Sequence, residues 1–227
     1  MSAQVSFLNL GLKDYREVWD YQESKFAKAL KAKRESSSVH TTLIFGEHPH
    51  VFTLGKIGSD KNLLVTEQWL SMAGASFYKI NRGGDITYHG PGQIVGYPII
   101  DLEQFGMGIH DYIFSLEEVI IRTLSEYFIP ATRLDGSTGV WIDVDIPQKV
   151  RKICAIGVRA SRYITMHGFA LNVNSDLNYF QKIVPCGIPD KKVTSMQVEL
   201  QKMINLDEVQ ERVKNNFKEI FRCEYIK

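Results

Sequence analysis

The chain has 227 residues, 44% of them hydrophobic and 23% charged, with a formal net charge of +1. This is globular composition with enough length for one catalytic-sized domain, taken here as residues 1–227. It offers no overall charge that would argue for nucleic acid and no run of about 18 apolar residues that would cross a bilayer.

The first fifteen residues, MSAQVSFLNLGLKDY, lack both a basic start and a long apolar stretch, so a cytoplasmic protein without a secretory leader is expected. Cys154, Cys186 and Cys223 cannot all pair and none forms a CxxC, which fits a reducing compartment. The six histidines have no metal-ligand spacing, so no metal site is expected.

In chain order, residues 4–10 alternate as a first strand. Asp14 to about Lys33 reads as a helix, with Tyr15, Val18, Trp19, Phe26, Ala29 and Leu30 at helical spacing. Its second half, KFAKALKAKR, carries five positive charges and no acid; this is either a solvated face or a patch for an acidic partner. Val39–Phe45 and Val51–Leu54 read as strands around a turn at Gly46–Pro49, which places His48 and His50 as turn residues near the surface. A short helix at Thr66–Ala73 and a strand at Ser76–Ile80 follow.

The stretch Arg82–Asp101, RGGDITYHGPGQIVGYPIID, is the centre of the chain. Glycines at 83, 84, 90, 92 and 96 alternate with Arg82, Asp85, Tyr88 and His89. Glycine allows positive φ and close approach of a ligand to the backbone, so this reads as a cradling loop that feeds a buried strand. The composition also fits a tight hairpin turning at His89–Gly92 with no chemistry. No nucleotide fingerprint is present.

Further on, a helix spans about Gly108 to Phe128 and Pro130 stops it. Thr138–Asp143 and Arg151–Val158 read as paired strands, and Ile164–Val173 as a strand interrupted by Gly168. Leu177–Ile183 reads as a short helical turn, Val193–Ser195 as a brief extended piece, and Leu206–Phe221 as an amphipathic helix started by Asn205 or Asp207. Strands that pair like hairpins, without strict strand–helix alternation, predict an α+β fold: mixed, largely antiparallel sheet flanked by helices.

Cys186 stands in VPCGI, where Pro185 and Gly187 would fix a turn and leave the sulfur approachable. A free thiol is only about 3% thiolate at pH 7, so a nucleophilic cysteine needs a cation beside it. At about 4 Å such a cation contributes on the order of 4 kcal/mol before desolvation. Lys152, at the head of an apolar strand, is a candidate; as a strand residue it would share a face with Cys154. It could equally be a solvated strand start. Cys154, among apolar neighbours, competes as nucleophile but fits a buried, inert thiol. Cys223, in the last helical turn, reads as structural or exposed.

Six stretches, GEHPHVFTLGK, RGGDITYHGPGQIVGYPIIDL, TGVWI, RKICAIGVR, MHGFALNVN and IVPCGI, in that order from Gly46 to Ile188, resemble the lipoyl (octanoyl) transferases, relatives of the biotin and lipoate protein ligases. The helix with Tyr15, Trp19 and Gln22 is similar too; the last thirty or so residues match loosely. The resemblance implies a biotin/lipoate protein ligase-like catalytic domain. It would move an octanoyl group from octanoyl-acyl carrier protein to a lysine of lipoyl domains in oxo-acid dehydrogenase subunits and the glycine cleavage H protein. This is the first step of lipoyl cofactor synthesis.

The resemblance also implies that Cys186 carries the acyl thioester and Lys152 lowers its pKa. Substrate would be held by Arg82, Gly83, Gly84, Asp85, Ile86, Thr87, Tyr88 and His89, by Ala155, Ile156 and Gly157, and by Gly168, Phe169 and Ala170. Backbone N–H groups around Gly157 and Gly168 are candidate oxyanion donors, and Tyr88 and Met166 candidate walls of an acyl tunnel. No cofactor, nucleic acid or membrane is expected, and a monomer is. Two stretches depart from the resemblance: the long connection 143–150, and Lys191–Lys192 close after Cys186. Both would bear on how protein substrates dock. An ATP-dependent ligase and a non-catalytic lipoyl-domain-binding protein are the competing readings.

Overall fold

The computed structural model describes residues 3–184 and 192–226. Its first helix, α1 (Tyr15–Arg34), begins where the Asp14 carboxylate accepts from the backbone N–H of Arg16 and Glu17, at 2.8 and 3.3 Å. That satisfies two of the N–H groups a helix start leaves unpaired. Tyr15, Val18, Gln22, Phe26 and Ala29 form its buried stripe. The basic end is mostly solvated, but Lys33 reaches Asp101 at 2.5 Å and Glu103 at 3.1 Å, which ties the helix to the sheet below it.

That sheet holds nine strands among the described residues. They are β1 (Ala3–Leu12), β2 (Thr41–Glu47), β6 (Gln93–Ile99), β7 (Thr132–Leu134), β8 (Ser137–Ile142), β9 (Arg151–Ser161), β10 (Ile164–Asn172), β11 (Lys192–Val193) and β12 (Cys223–Ile226). Their order is β12-β1-β2-β6-β10-β9-β8-β7, with β11 alongside β9. β1 is parallel to both β2 and β12, and β11 to β9; the other pairs are antiparallel. A smaller sheet of β4 (Ser76–Lys79), β3 (Val51–Leu54) and β5 (Ile86–His89) stands apart. The fold is the α+β arrangement expected, mixed and mostly antiparallel.

One face of the large sheet packs on α3 (Ile109–Ser125) and α5 (Leu206–Phe221) through an apolar core that includes Leu116, Val119, Ile120, Phe169, Leu171 and Phe217. Each such side chain contributes about 1.5–3 kcal/mol by leaving water. The other face packs on α1 through Val18, Phe26, Ile44, Val95 and Met166.

Several expectations need correcting. β10 runs unbroken through Gly168; the irregularity sits one residue earlier, where His167 takes φ +59°. The edge strands β7 and β12 and the short helix α4 (Met196–Leu200), which follows α2 (Glu67–Met72), were not visible as elements. Cys223 belongs to β12 and is buried, not in a helical turn. His48 is not a surface turn residue, while His50 stays in the bend near the surface, half-buried. β2 continues to Glu47, so His48 turns inward beneath α1, and His50 lies flat on Tyr179 with ring centroids 4.1 Å apart.

Candidate active site

A cavity lies between the α1 face of the large sheet and the smaller sheet. Its walls come from α1 (Tyr15), the glycine-rich stretch, β6 (Gln93, Tyr97), the centres of β9 and β10, the turn at Phe180, and Val193 of β11.

The glycine-rich stretch is held from several sides. Arg82 donates from Nη2 to the carbonyl (2.7 Å) and hydroxyl (3.0 Å) of Thr53, and from Nη1 to the Gly83 carbonyl. The Asp85 carboxylate accepts from Asn62 Nδ2 and from the Ile86 N–H, both at 2.6 Å. Residues 86–89 form a strand, not a loop, paired with β3 from Leu54↔Ile86 to Val51↔His89. The turn after it is fixed at Gly92, whose φ is +79°. Its N–H donates to Glu47 Oε2 at 2.7 Å, and any Cβ there would sit 2.6 Å from the Asn174 carbonyl. Only glycine meets both conditions.

Three buried histidines face one another across this region. His89 Nδ1 lies 2.8 Å from Gln93 Oε1, while Gln93 Nε2 donates to Asn172 Oδ1 (2.9 Å) and to the Tyr88 carbonyl (3.2 Å). With its amide nitrogen so committed, Gln93 accepts from His89, so the His89 proton is on Nδ1 and Nε2 turns to the Thr53 hydroxyl. His48 donates from Nδ1 to the Lys13 carbonyl and accepts at Nε2 from the Tyr97 hydroxyl, both at 2.8 Å. The His167 N–H donates to Gln22 Oε1 at 3.0 Å, and its Nε2 lies 3.3 Å from Asn81 Oδ1. Burial first of all holds these rings neutral: His89 is lowered to about 3 by burial and the nearby His48, His167 to about 3 by burial and Arg82, and His48 to about 4 by burial.

Lys152 lines the same cavity. It does not share a face with Cys154. The β8–β9 register slips between Val140↔Cys154 and Trp141↔Lys152, a one-residue bulge that inserts Ile153. Ile153 and Cys154 both drop into the α3 core, and Lys152 is left on the cavity side. Its ammonium donates to the Thr138 carbonyl at 3.1 Å and lies 4.4 Å from the centroid of the Trp141 ring. Burial pushes the Cys154 thiol well above its ordinary range, which suits an inert core residue.

Cys186 and Lys191 lie outside the described residues. The chain on either side of that stretch is anchored. Val184 N–H donates to the Asn62 carbonyl at 2.8 Å, and Lys192 and Val193 pair with Arg151 and Lys152.

Of the residues singled out in the sequence, Arg82, Gly84, Asp85, Ile86, Thr87, His89, Lys152, Ala155, Ile156, Gly157, Gly168, Phe169 and Ala170 line one cavity. Gly83 and Tyr88 do not. Gly83 N–H bonds the Val158 carbonyl at 2.8 Å, and Tyr88 faces the small sheet's own core, stacked 4.8 Å from Tyr179. Nor does Met166 form a wall: it is packed beneath α1. Gly157 and Gly168 pair opposite each other in β9 and β10. The sequence reading missed Tyr15, Gln93, Tyr97, His167, Asn172, Phe180 and Val193 as lining residues. Only His167, beside Gly168 in MHGF, carried a local signal of its own.

Two sheets closing over one cavity make this an α+β catalytic-type domain, and its fold is shared with lipoate protein ligases. An archaeal bipartite lipoate protein ligase from Thermoplasma acidophilum superposes with a TM-score of 0.73 at 16% identity, over 99% of this chain and 86% of that one. A lipoate-protein ligase A bound with ATP superposes with a TM-score of 0.68 at 15% identity, over 100% and 90%. At those identities the likeness speaks for fold alone.

The chain belongs to the lipoyl protein ligase A/B catalytic domain family, whose model matches residues 14–218. It is 58% identical to an octanoyltransferase from Christiangramia forsetii over 99% of this chain and 98% of that one. It is 55% identical to an octanoyltransferase from Flavobacterium psychrophilum over the full length of both.

Proposed function

We propose that this protein is an octanoyltransferase acting through a Cys186–Lys152 pair, with residues 1–227 forming one catalytic domain. It is an acyltransferase of lipoyl cofactor synthesis; its full-length relatives at 58% and 55% identity are named octanoyltransferases. The donor is octanoyl-acyl carrier protein. The acceptors are lysines of lipoyl domains, those of the oxo-acid dehydrogenases and the glycine cleavage H protein. No helix among the described residues is long and apolar enough to cross a membrane; the reading places the protein in the cytoplasm as a monomer.

The observation that carries this reading is that Lys152 and all three substrate-binding segments border one cavity. Phe180, before Cys186, and Val193, after it, border it as well. The Lys152 ammonium supplies the cation that a thiolate requires. In the first half-reaction the Cys186 thiolate attacks the donor thioester. The donor sulfur leaves as thiolate and takes a proton from Lys152. One thioester replaces another, so the step is near balance and needs no nucleotide. In the second half, the neutral amine of the acceptor lysine attacks the Cys186 thioester. Its proton passes to Lys152, and the Cys186 thiolate is restored. Formation of the amide drives the sequence forward. Within Arg82–His89, Ala155–Gly157 and Gly168–Ala170, the residues that line the cavity hold the acyl group, with Ile86 and Phe180 as apolar contacts.

The test is intact-protein mass after mixing with octanoyl-acyl carrier protein and no acceptor. A gain of one octanoyl group, released by hydroxylamine and lost in Cys186→Ser, is expected. Transfer that occurs only with ATP, and without an adduct, would replace this reading with a ligase.

A further inference from the structure

We infer that Glu117, on α3, is a positioning residue for Lys152, acting through the single peptide unit between Thr138 and Gly139. The inference rests on the Cys186–Lys152 reading and adds to it a residue from the opposite face of the sheet. The Gly139 N–H donates to Glu117 Oε1 at 2.9 Å, and the Thr138 carbonyl accepts from Lys152 Nζ at 3.1 Å. These are the two ends of one amide. The peptide is planar and, like every described peptide bond in the chain, not cis, so its N–H and C=O point in opposite directions. A carboxylate therefore stands at one end of this dipole and an ammonium at the other. Hydrogen bonds in such a chain polarise one another, so the Glu117 charge both aims the carbonyl and strengthens its hold on Lys152.

The surroundings hold the relay in place. Glu117 is buried, and its second oxygen accepts from Arg133 Nε at 3.1 Å. Arg133 in turn bonds Glu118 and the Phe114 carbonyl, each at 2.9 Å. Gly139 has φ +120°, and a Cβ there would lie 2.6 Å from the Cys154 carbonyl and 3.4 Å from Lys152 Cε. The peptide is thus turned out of the regular β8 path at a point only glycine tolerates, next to the slip in register that sets Lys152 on the cavity side. The Trp141 ring beneath the ammonium completes the seat. A carboxylate that merely pinned the β7–β8 hairpin would account for Arg133 and Gly139. It would not account for a lysine at the far end of the same amide.

The experiment measures the rate of Cys186 alkylation by iodoacetamide near pH 7, with peptide mapping to separate Cys186 from the buried Cys154 and Cys223. It compares wild type, Glu117→Gln, Lys152→Ala and the double variant, with thermal midpoints for each. Glu117→Gln keeps size and one acceptor but removes the charge. The expected result is a loss of about fivefold in rate, the scale of one weakened charge-assisted hydrogen bond acting at second hand. In the Lys152→Ala background the same substitution should cause no further loss, because Glu117 acts through Lys152.

Equal losses in both backgrounds, or an unchanged rate in folded Glu117→Gln, would overturn the inference. If Glu117→Gln does not fold, Glu117→Asp keeps the charge and shortens the reach. Its expected loss is of similar size and likewise absent without Lys152, and a wild-type rate would be equally fatal. If Lys152→Ala itself leaves alkylation unchanged, the Cys–Lys reading fails instead, and the two failures are told apart.

Discussion

The two faces of the nine-stranded sheet are made by the same strands and differ in almost every other respect. Toward α3 and α5, β9 and β10 present Cys154, Phe169 and Leu171, and nearly everything they meet is apolar. Toward α1, the same strands present Ala155, Gly157, Gly168 and Ala170, small residues that leave a cavity in place of a core. The contrast follows from strand alternation, which sends successive residues to opposite sides. One face can then be spent on stability and the other on binding. The glycines and alanines that open the cavity forgo hydrophobic burial on that side, and the α3 face makes up for it. Lys152 and Glu117 are where the division is crossed, by a bulge and by a peptide whose two ends serve the two faces.

That division predicts which substitutions harm chemistry and which harm folding. The largest effect belongs to the cavity face: Lys152→Ala should lower kcat/KM for octanoyl transfer by roughly 10²–10⁴-fold, the range for losing a positioned acid–base group, with a thermal midpoint close to wild type. A variant that unfolded in proportion to its lost activity would erase the contrast. The core face should behave in the opposite way. Leu116→Ala removes a fully buried side chain and should cost about 2–5 kcal/mol by denaturant titration, while the protein that stays folded keeps its kcat. Loss of kcat in fully folded Leu116→Ala would show that the faces are not separable.

A third effect is graded in pH. His48, His89 and His167 are held neutral in the fold at about 4, 3 and 3, below the ordinary 6.5. The unfolded chain therefore binds protons first on acidification. The contribution of these rings is complete above pH 6.5 and is lost as pH falls from there, toward 4 for His48 and toward 3 for His89 and His167. The slope is on the order of 1.4 kcal/mol per pH unit for each ring. A thermal midpoint that stays level from pH 7 to 5 would contradict it, and His48→Gln should make the slope shallower.

How much of this was legible beforehand depended on whether the cause was local. Asp14 as a helix start, Val51–Leu54 as a strand and the span Leu206–Phe221 follow from capping chemistry and periodicity, which neighbouring residues decide among themselves. The grouping of Arg82–His89 with Ala155–Gly157 and Gly168–Ala170 came from the resemblance, and the cavity gathers all but Gly83 and Tyr88 of them. What was missed depends on distant chain. His48 looks like part of a turn until α1 lies over it. Tyr88 reads as a tunnel wall until Tyr179, some ninety residues on, stacks against it. The bulge at Lys152 breaks a two-residue alternation that sequence can only assume to be regular. β7 and β12 are short edge strands defined by what they pair with, not by any pattern of their own.

β12 also bears on how the molecule assembles in time. It pairs in parallel with β1, Ala3 opposite Cys223, so the edge of the sheet joins residues about 220 apart in sequence. During synthesis β1 can meet β2 once residues 41–47 have emerged, but its other edge stays unpaired until residues 223–226 have left the ribosome. An exposed strand edge is a template for wrong pairing. The growing chain thus spends most of its synthesis with that edge open, and α5 and β12 close it last.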